Sequence, residues 1–144
     1  MATTRGCLGK VKILAAATGT PTQLIGELTD WSFEETADQV DTSIMGACVK
    51  KFDAGAKATT GQLTTWWDAD ATGQAMFVVG NVVSLAIYPG GSGSGANFYR
   101  TPIATGGQGA TITSLAHAGN GVDGTVGTTL GYSVNGSMTA TAVP

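Results

Sequence analysis

Apolar and polar residues alternate along much of the chain, and the alternation is clearest between residues 125 and 142. One parity of this segment carries the apolar side chains, which are Val126, Leu130, Tyr132, Val134, Met138, Ala140 and Ala142. The other parity is small and uncharged, and it includes Thr125, Thr129, Ser133, Ser137 and Thr141. A period of two residues is typical of a strand with one buried face, so a long terminal strand is predicted. Asn135-Gly136 lies within it and fits either a hairpin turn or a bent, bulged strand.

Six more strands are predicted where β-branched and aromatic residues cluster between glycine-rich breaks. They cover residues 10–15, 24–35, 58–67, 82–88, 98–104 and 110–117. With the terminal segment they make about seven strands in a mainly β domain. Residues 89–97 are rich in glycine and serine and offer few side chains to pack, so they are predicted to form a flexible loop.

One segment, residues 70–79, favours a short helix. Its apolar stripe consists of Ala71, Ala75 and Val78. Asp68 or Asp70 can cap the start, and Gly80 follows the end. We expect this helix to flank the sheet and to pack its apolar stripe against it.

Charge is distributed unevenly along the 144 residues. Six of the ten carboxylates lie between residues 27 and 41, three lysines follow at positions 50, 51 and 57, and residues 89–144 hold only Arg100 and Asp123. Charged residues make up 12% of the chain, against about 25% in a typical soluble domain. The neutral remainder is a candidate for surface that other copies of the chain cover, with an acidic segment placed to meet a basic one. A solvated charged face is the alternative interpretation of the acidic segment.

Length and composition exclude several classes of protein. A chain of this length fits one domain that needs no disulfide. Cys7 and Cys48 match no metal-binding spacing and are predicted to be reduced thiols, as in a cytosolic protein. No segment reaches the roughly 20 apolar residues of a membrane span. A net charge of −3 argues against a basic, DNA-gripping face.

The residues that carry chemistry form no recognisable catalytic or metal-binding motif. His117 is the only histidine, and without a nucleophile motif nearby it favours a structural or surface role. Asp68-Ala69-Asp70 lacks the rest of a calcium loop. We therefore predict no enzyme activity, no catalytic or metal-binding residues and no cofactor. Trp66 and Trp67 follow one another along a predicted strand, so their side chains point to opposite faces. One core tryptophan and one interface tryptophan are therefore favoured over a platform that stacks on sugars.

Several runs of residues resemble the tail tube proteins of long-tailed bacteriophages. The runs are residues 25–37 with Trp31 and Glu34-Glu35, then Val40-Asp41-Thr42, then Lys50-Lys51-Phe52 with Gly55, and Gly61-Gln62-Leu63 leading to Trp66-Trp67-Asp68. In that family a tryptophan-bearing strand passes through an acidic connector to a basic loop, and a Gly-x-Leu strand ends in an aromatic-Asp pair. Similar features follow at Tyr88-Pro89 and Phe98-Tyr99, so the resemblance covers most of residues 10–140.

The resemblance implies both a fold and an assembly. The fold is a β-sandwich or half-barrel of about seven strands with one short flanking helix, and copies close into a β-lined tube as a hexameric ring. The single domain, 1–144, then has an N-terminal arm at 1–9, an inter-subunit loop at 36–56 and the flexible loop at 89–97. The expected inter-subunit contacts are Glu34, Glu35, Asp38, Asp41, Lys50 and Lys51. The candidates for lining the channel are Thr125, Thr129 and Ser133.

The function implied is that of a structural virion protein, which forms the tail conduit for DNA ejection and is assembled in the host cytoplasm. Its main partner is itself. The other expected partners are a tape-measure protein, a tail terminator and distal tail proteins, with DNA only in transit and no membrane. Another virion ring protein, such as a tail terminator, head-tail connector or head decoration protein, would stop at one ring or need a capsid. A carbohydrate-binding β-sandwich would act as a monomer and use Trp66 or Trp67 to stack on a sugar.

Overall fold

The structure is a computed structural model, and it describes residues 9–16, 19–26, 28–68, 72–91, 97–102, 109–119 and 124–142. Within these ranges the chain forms nine strands. They are β1 (Lys10–Leu14), β2 (Gln23–Leu24), β3 (Leu28–Asp41), β4 (Phe52–Trp66), β5 (Val82–Tyr88), β6 (Asn97–Arg100), β7 (Ala110–Gly119), β8 (Val126–Val134) and β9 (Thr139–Ala142). Neighbouring strands pair in the antiparallel direction throughout.

The sheet divides into two branches at β5. The first part of β5 pairs with β7 through Val82 and Val83, and its later part pairs with β6 through Ala86 and Ile87. The long branch runs from β5 through β7, β8 and β4 to β3. The short branch consists of β2, β1, β5, β6 and β9.

One hydrophobic core lies between the two branches. It joins Val11 and Ile13 of β1 to Leu63 of β4 and to Leu130 and Tyr132 of β8, all of them fully or almost fully buried. Since these strands belong to different branches, the sheet folds over itself with the core inside. The predicted mainly β sandwich or half-barrel is confirmed.

The predicted terminal strand is bent rather than continuous. Its first part, β8, pairs with β4 and β7, whereas β9 pairs with β6 in the short branch. The bend lies at Asn135-Gly136, where Gly136 has a φ of 126° and a Cβ would crowd the Pro102 ring. The hairpin alternative is therefore wrong, since β8 and β9 do not pair with each other. Beyond the bend, Ser137 and Thr141 leave the face that carries Thr129 and Ser133.

The predicted helix is reduced to a single 3₁₀ turn at Gln74–Met76 among the residues described there. Asp70 and Ala71 lie outside the described residues. The expected stripe is wrong, because Ala75 is exposed and Val78 is 49% exposed, whereas Gln74 and Phe77 are buried. The side-chain amide of Gln74 donates to the carbonyls of Gly26 and Trp66 and accepts from the Asp68 N–H. These bonds hold the turn against the strand ends and leave no room for a helix that packs through Ala75.

Residues 36–56, expected to form a loop, are mostly strand. β3 extends to Asp41 and β4 begins at Phe52, so the connecting loop covers only residues 42–51. Nearly all these strand residues are exposed on both faces. They therefore lack the alternation of buried apolar and exposed polar residues from which a strand is predicted. Most of the proposed N-terminal arm, residues 1–8, and the centre of the glycine loop, residues 92–96, lie outside the described residues.

Candidate assembly surfaces

The β3–β4 hairpin extends beyond the rest of the sheet. β4 pairs with β8 only from Thr59 to Trp66, so among the described residues 36–58 have no third strand beside them. We call residues 36–58 the ribbon and residues 42–51 its tip. About six residues per strand at roughly 3.3 Å each give the ribbon a length of about 20 Å. A two-stranded ribbon is at best marginally stable alone in water, so it is a candidate for contact with another chain.

The ribbon tip presents apolar side chains to solvent. Ile44 is 75% exposed, Met45 is fully exposed and Val49 is 76% exposed. Ile44 and Val49 border a cavity of about 460 Å³ that Ser43, Lys50 and Lys51 also line. Exposed apolar clusters rimmed by polar residues mark interaction sites.

Two of the predicted contact residues form part of the ribbon's own structure. The Asp41 carboxylate accepts from the Ser43 N–H at 2.9 Å, and hydrogen bonding with Ser43 lowers the pKa of Asp41. Glu35 accepts from the Thr59 hydroxyl at 3.2 Å and from the Met138 N–H at 2.9 Å. Asp41 therefore shapes the turn at the tip, and Glu35 attaches the ribbon's base to the bend after β8.

The other predicted contact residues lie on the surface. Asp38, Lys50 and Lys51 are exposed on the ribbon. Glu34 is also exposed, but its register places it opposite Thr60, on the face of the long branch that points away from the core. The structure thus separates Glu34 from the tip lysines by the length of the ribbon.

A polar face covers the side of the long branch that points away from the core. Cross-strand partners lie on the same face of a sheet. Three successive rungs across β3, β4, β8 and β7 are Asp30-Thr64-Thr129-Ala116, Ser32-Gln62-Gly131-Ser114 and Glu34-Thr60-Ser133-Thr111. The charged members of these rungs are carboxylates, with no lysine or arginine among the twelve residues. A groove of about 540 Å³ crosses the face between Ser32 and Ser133.

Two of the three predicted channel residues, Thr129 and Ser133, lie on this polar face and are half-buried. Thr125 precedes β8, is exposed and has no cross-strand partner. Ser32, Thr60 and Gln62 share this face, which the pattern of β8 alone could not predict because only strand register brings β3 and β4 beside it. Tyr132 crosses beneath Gly61 to donate to the Ser32 carbonyl at 3.1 Å. A side chain at Gly61 would collide with that phenol, which explains why the Gly-x-Leu motif has glycine at this position.

The long branch has two open edges among the described residues. β3 pairs with β4 alone, and β7 pairs with β8 alone beyond Ile112, whose backbone still bonds Gly80 and Asn81. An open edge presents unpaired backbone N–H and C=O groups that can pair with a strand of another chain. Both edges are long enough to accept such a strand.

The opposite end of β4 carries a second apolar patch, which we call the tryptophan end: Trp66, Trp67 and Val126. Their side chains are 44%, 43% and 36% exposed. The prediction of a core tryptophan here is wrong, since both side chains are nearly half exposed: Trp66 belongs to the last residue pair of β4 with β8, and Trp67 follows it. Trp67 packs on the edge of His117 with ring centres 4.9 Å apart, and His117 Nδ1 lies 2.9 Å from the Thr128 hydroxyl.

Metal ligands do not cluster in the part of the chain that the structure describes, where no three His, Cys, Asp or Glu side chains could hold an ion. Cys48 is a free, exposed thiol at the ribbon tip. Within the same residues, none of the helical structure is long and apolar enough to cross a membrane.

The chain has the fold of tail tube proteins. It matches a subunit of the tail of an empty gene transfer agent particle, solved with C6 symmetry, at a TM-score of 0.71 and 18% identity, over 97% of this chain and 100% of that one. It matches the SPP1 tail tube at a TM-score of 0.70 and 17% identity, over 97% and 80% of the two chains. A subunit of the anti-feeding prophage baseplate matches at a TM-score of 0.61 and 10% identity, over 99% of this chain and 96% of that one. No protein-family model and no curated protein matches the sequence.

Proposed function

We propose that this chain is a tail tube protein that closes into hexameric rings and stacks them into the DNA conduit of a virion tail. One observation carries the proposal: the fold matches tail tube structures over 97% of the chain. The polar face of the long branch, between two open strand edges, is consistent with it. No catalytic step is part of this function. The tape-measure protein, tail terminator and distal tail proteins remain the expected partners, and the tail of the virion the expected location.

Lateral closure follows from the two open edges. If β3 of one copy pairs with β7 of the next, six copies that each contribute β7, β8, β4 and β3 close a barrel of about 24 strands. At roughly 4.8 Å per strand its circumference is about 115 Å and its diameter about 37 Å before strand tilt widens it. Such a barrel has no free edge left, which explains how a chain with little charge avoids aggregation.

The polar face suits the inside of that barrel. A lysine or arginine on the wall would pair with DNA phosphates and turn sliding into a series of binding steps. The rungs that contain Thr129 and Ser133 carry only Asp30 and Glu34 as charges. Six copies at −3 each give a ring a net charge of −18, which repels phosphate. Thr125, outside the rungs, would stand at the rim.

The ribbon would join successive rings. Barrel strands tilt by roughly 35–45° from the axis, so the extension of β3 and β4 leaves the ring at its rim. Asp38, Lys50 and Lys51 would then contact another copy, while Asp41 and Glu35 support the ribbon from within.

Negative-stain electron microscopy of the purified full-length chain tests this function. We expect six-fold rings and tubes built from them. A monomer at every protein concentration would contradict the proposal. Single rings that never stack would favour the alternative of a ring-limited tail component, which the baseplate match supports as a second candidate.

A further inference from the structure

The charges of the described residues divide between the two branches of the sheet. Every described carboxylate side chain lies in β3 or β4, except that of Asp68, which follows β4 by two residues. Among the described residues, the five strands of the short branch contain no carboxylate. Their charged residues are three cations, Lys10, Lys12 and Arg100.

The three cations share the face of the short branch that points away from the core. Lys12 pairs with Ala86, which pairs in turn with Arg100, so these residues lie on one face. Lys10 lies two residues before Lys12 and therefore on the same face. Ile13, of the opposite parity, is fully buried in the core. We call Lys10, Lys12 and Arg100 the cationic face.

The cationic face projects charge and little apolar surface. Adjacent strands are roughly 4.8 Å apart, so the backbones of Lys12 and Arg100 are separated by about 10 Å. The rings of Tyr88 and Phe98 stack beside them with centres 4.7 Å apart, and the Lys12 ammonium lies 5.3 Å from the Tyr88 ring centre. Both rings are buried, whereas Lys10 is exposed and the other two cations are half-buried. Such a face attracts anions more strongly than apolar partners.

The carboxylates of the polar face do not cancel this charge. Asp30 and Glu34 lie on the far side of the long branch, with the hydrophobic core between them and the short branch. Packed sheets lie about 10 Å apart, and charges are screened over about 8 Å at physiological ionic strength. The cationic face therefore keeps a positive local potential in a chain whose net charge is −3.

We propose that the cationic face binds an anionic glycan along the outside of the assembled tube. This inference rests on the proposed function: if the polar face lines the channel, the short branch lies outermost. Three cations per copy form a weak site. Six copies per ring and many rings repeat that site, and repeated weak sites bind a flexible chain of repeating anionic groups with high avidity.

Two other anionic partners fit this face less well. A folded acidic protein would find no exposed apolar centre among the described residues of the cationic face, and the centre of a protein interface is usually apolar. Duplex DNA has a persistence length of about 50 nm, so it cannot follow the curve of the tube and would meet a single row of sites.

Co-sedimentation of assembled wild-type tubes with fluorescent dextran sulfate, a soluble anionic glycan, tests the inference. We expect dextran sulfate to pellet with the tubes at low salt and to be released as salt rises, because screening weakens the contact. Uncharged dextran should stay in solution. The double variant Lys12→Gln, Arg100→Gln should bind about tenfold less dextran sulfate per chain, since two of the three cations of every site are lost.

Further variants separate charge from packing, with tubes of each verified by electron microscopy. Lys12→Arg with Arg100→Lys keeps both charges and should bind like the wild type. Lys10→Gln, at an exposed lysine, should also lower binding and does not depend on a half-buried position. Lys57→Gln is the matched control, because it removes an exposed cation from the ribbon, and binding should not change.

The outcomes separate this inference from the proposed function. Tubes that form but leave dextran sulfate in solution, or that bind it equally in the double glutamine variant, would overturn the glycan site while the tail tube function stands. Tighter binding of polyglutamate or of duplex DNA through the same two residues would assign the face to an acidic polypeptide or to DNA and also overturn it. Wild-type protein that forms no tubes would overturn the proposed function and, with it, the repeated site.

Discussion

At the scale of single residues, most of the buried polar side chains that the structure describes form hydrogen bonds. Thr59 donates to Glu35, and the Gln74 amide bonds three main-chain groups. Among the described side chains, the buried hydroxyl without a partner is that of Thr65. A buried donor left unpaired loses its hydration without compensation, so these two threonines in the same strand should respond to mutation in opposite ways.

Replacing Thr65 with valine should raise the free energy of unfolding by up to about 1 kcal/mol, because it removes an unsatisfied hydroxyl and keeps the branched shape. Thr59→Val is the matched control and should lower it by about 1.5 kcal/mol, since a hydrogen bond to a carboxylate is lost. Urea denaturation of the monomer measures both changes. Equal destabilisation by the two variants would contradict the assigned hydrogen bonds.

Tyr132 should make stability depend on alkaline pH. Burial raises the pKa of its phenol, so the folded chain keeps a proton that the unfolded chain loses above about pH 10. The contribution is complete below that pH and is lost as pH rises, by at most about 1.4 kcal/mol per pH unit. In Tyr132→Phe this part of the slope should disappear, with a cost near neutral pH of about 1 kcal/mol for the bond to Ser32. An unchanged alkaline slope would show that another group causes it.

At the scale of elements, the ribbon differs from the rest of the sheet. Elsewhere in the long branch, β4 and β8 each bury one face in the core, whereas residues 36–58 are exposed on almost every side chain. A strand pair of this kind gains little from burial within its own chain. We therefore expect its apolar tip and its lysines to act in contacts between copies.

Reversing Lys50 and Lys51 to glutamate should leave the monomer folded, because both side chains are exposed, and should weaken polymerisation. The loss should be largest at low salt, where screening of charge is least. Light scattering across a salt series measures it, with Lys10→Glu, a cation in β1 of the short branch, as the control. Assembly that matches the wild type at every salt concentration would rule out the tip lysines as a contact.

At the scale of the whole molecule, the forked sheet gives the chain two different faces and two open edges. The core between the branches stabilises one copy. The edges and the polar face of the long branch stay uncovered within the described residues of one copy. If copies assemble as we propose, edge closure and a cation-free channel wall both follow from one arrangement of four strands.

Lysines introduced at Thr129 and Ser133 test which way the polar face points. On a channel wall, the double variant should still form tubes, while DNA delivery falls and recovers as ionic strength rises. Glutamine at the same two positions is a control of similar length without charge and should deliver DNA normally. Infectivity and tube formation are measured together. If the lysines abolish assembly outright, this face lies in a subunit interface.

The sequence by itself determined the strand character of the chain and the separation of acidic from basic segments. It also determined the alternation that puts Thr129 and Ser133 on one face of β8 and Leu130 and Tyr132 on the other. These properties are local, because a period of two residues and the order of charges need no knowledge of distant partners. Only the tertiary structure decided the bend at Gly136, the shortening of the helix around Gln74 and the rung that sets Glu34 and Ser133 on either side of Thr60. Each of these depends on contacts between residues far apart in the chain, which strand register and packing establish and local patterns do not.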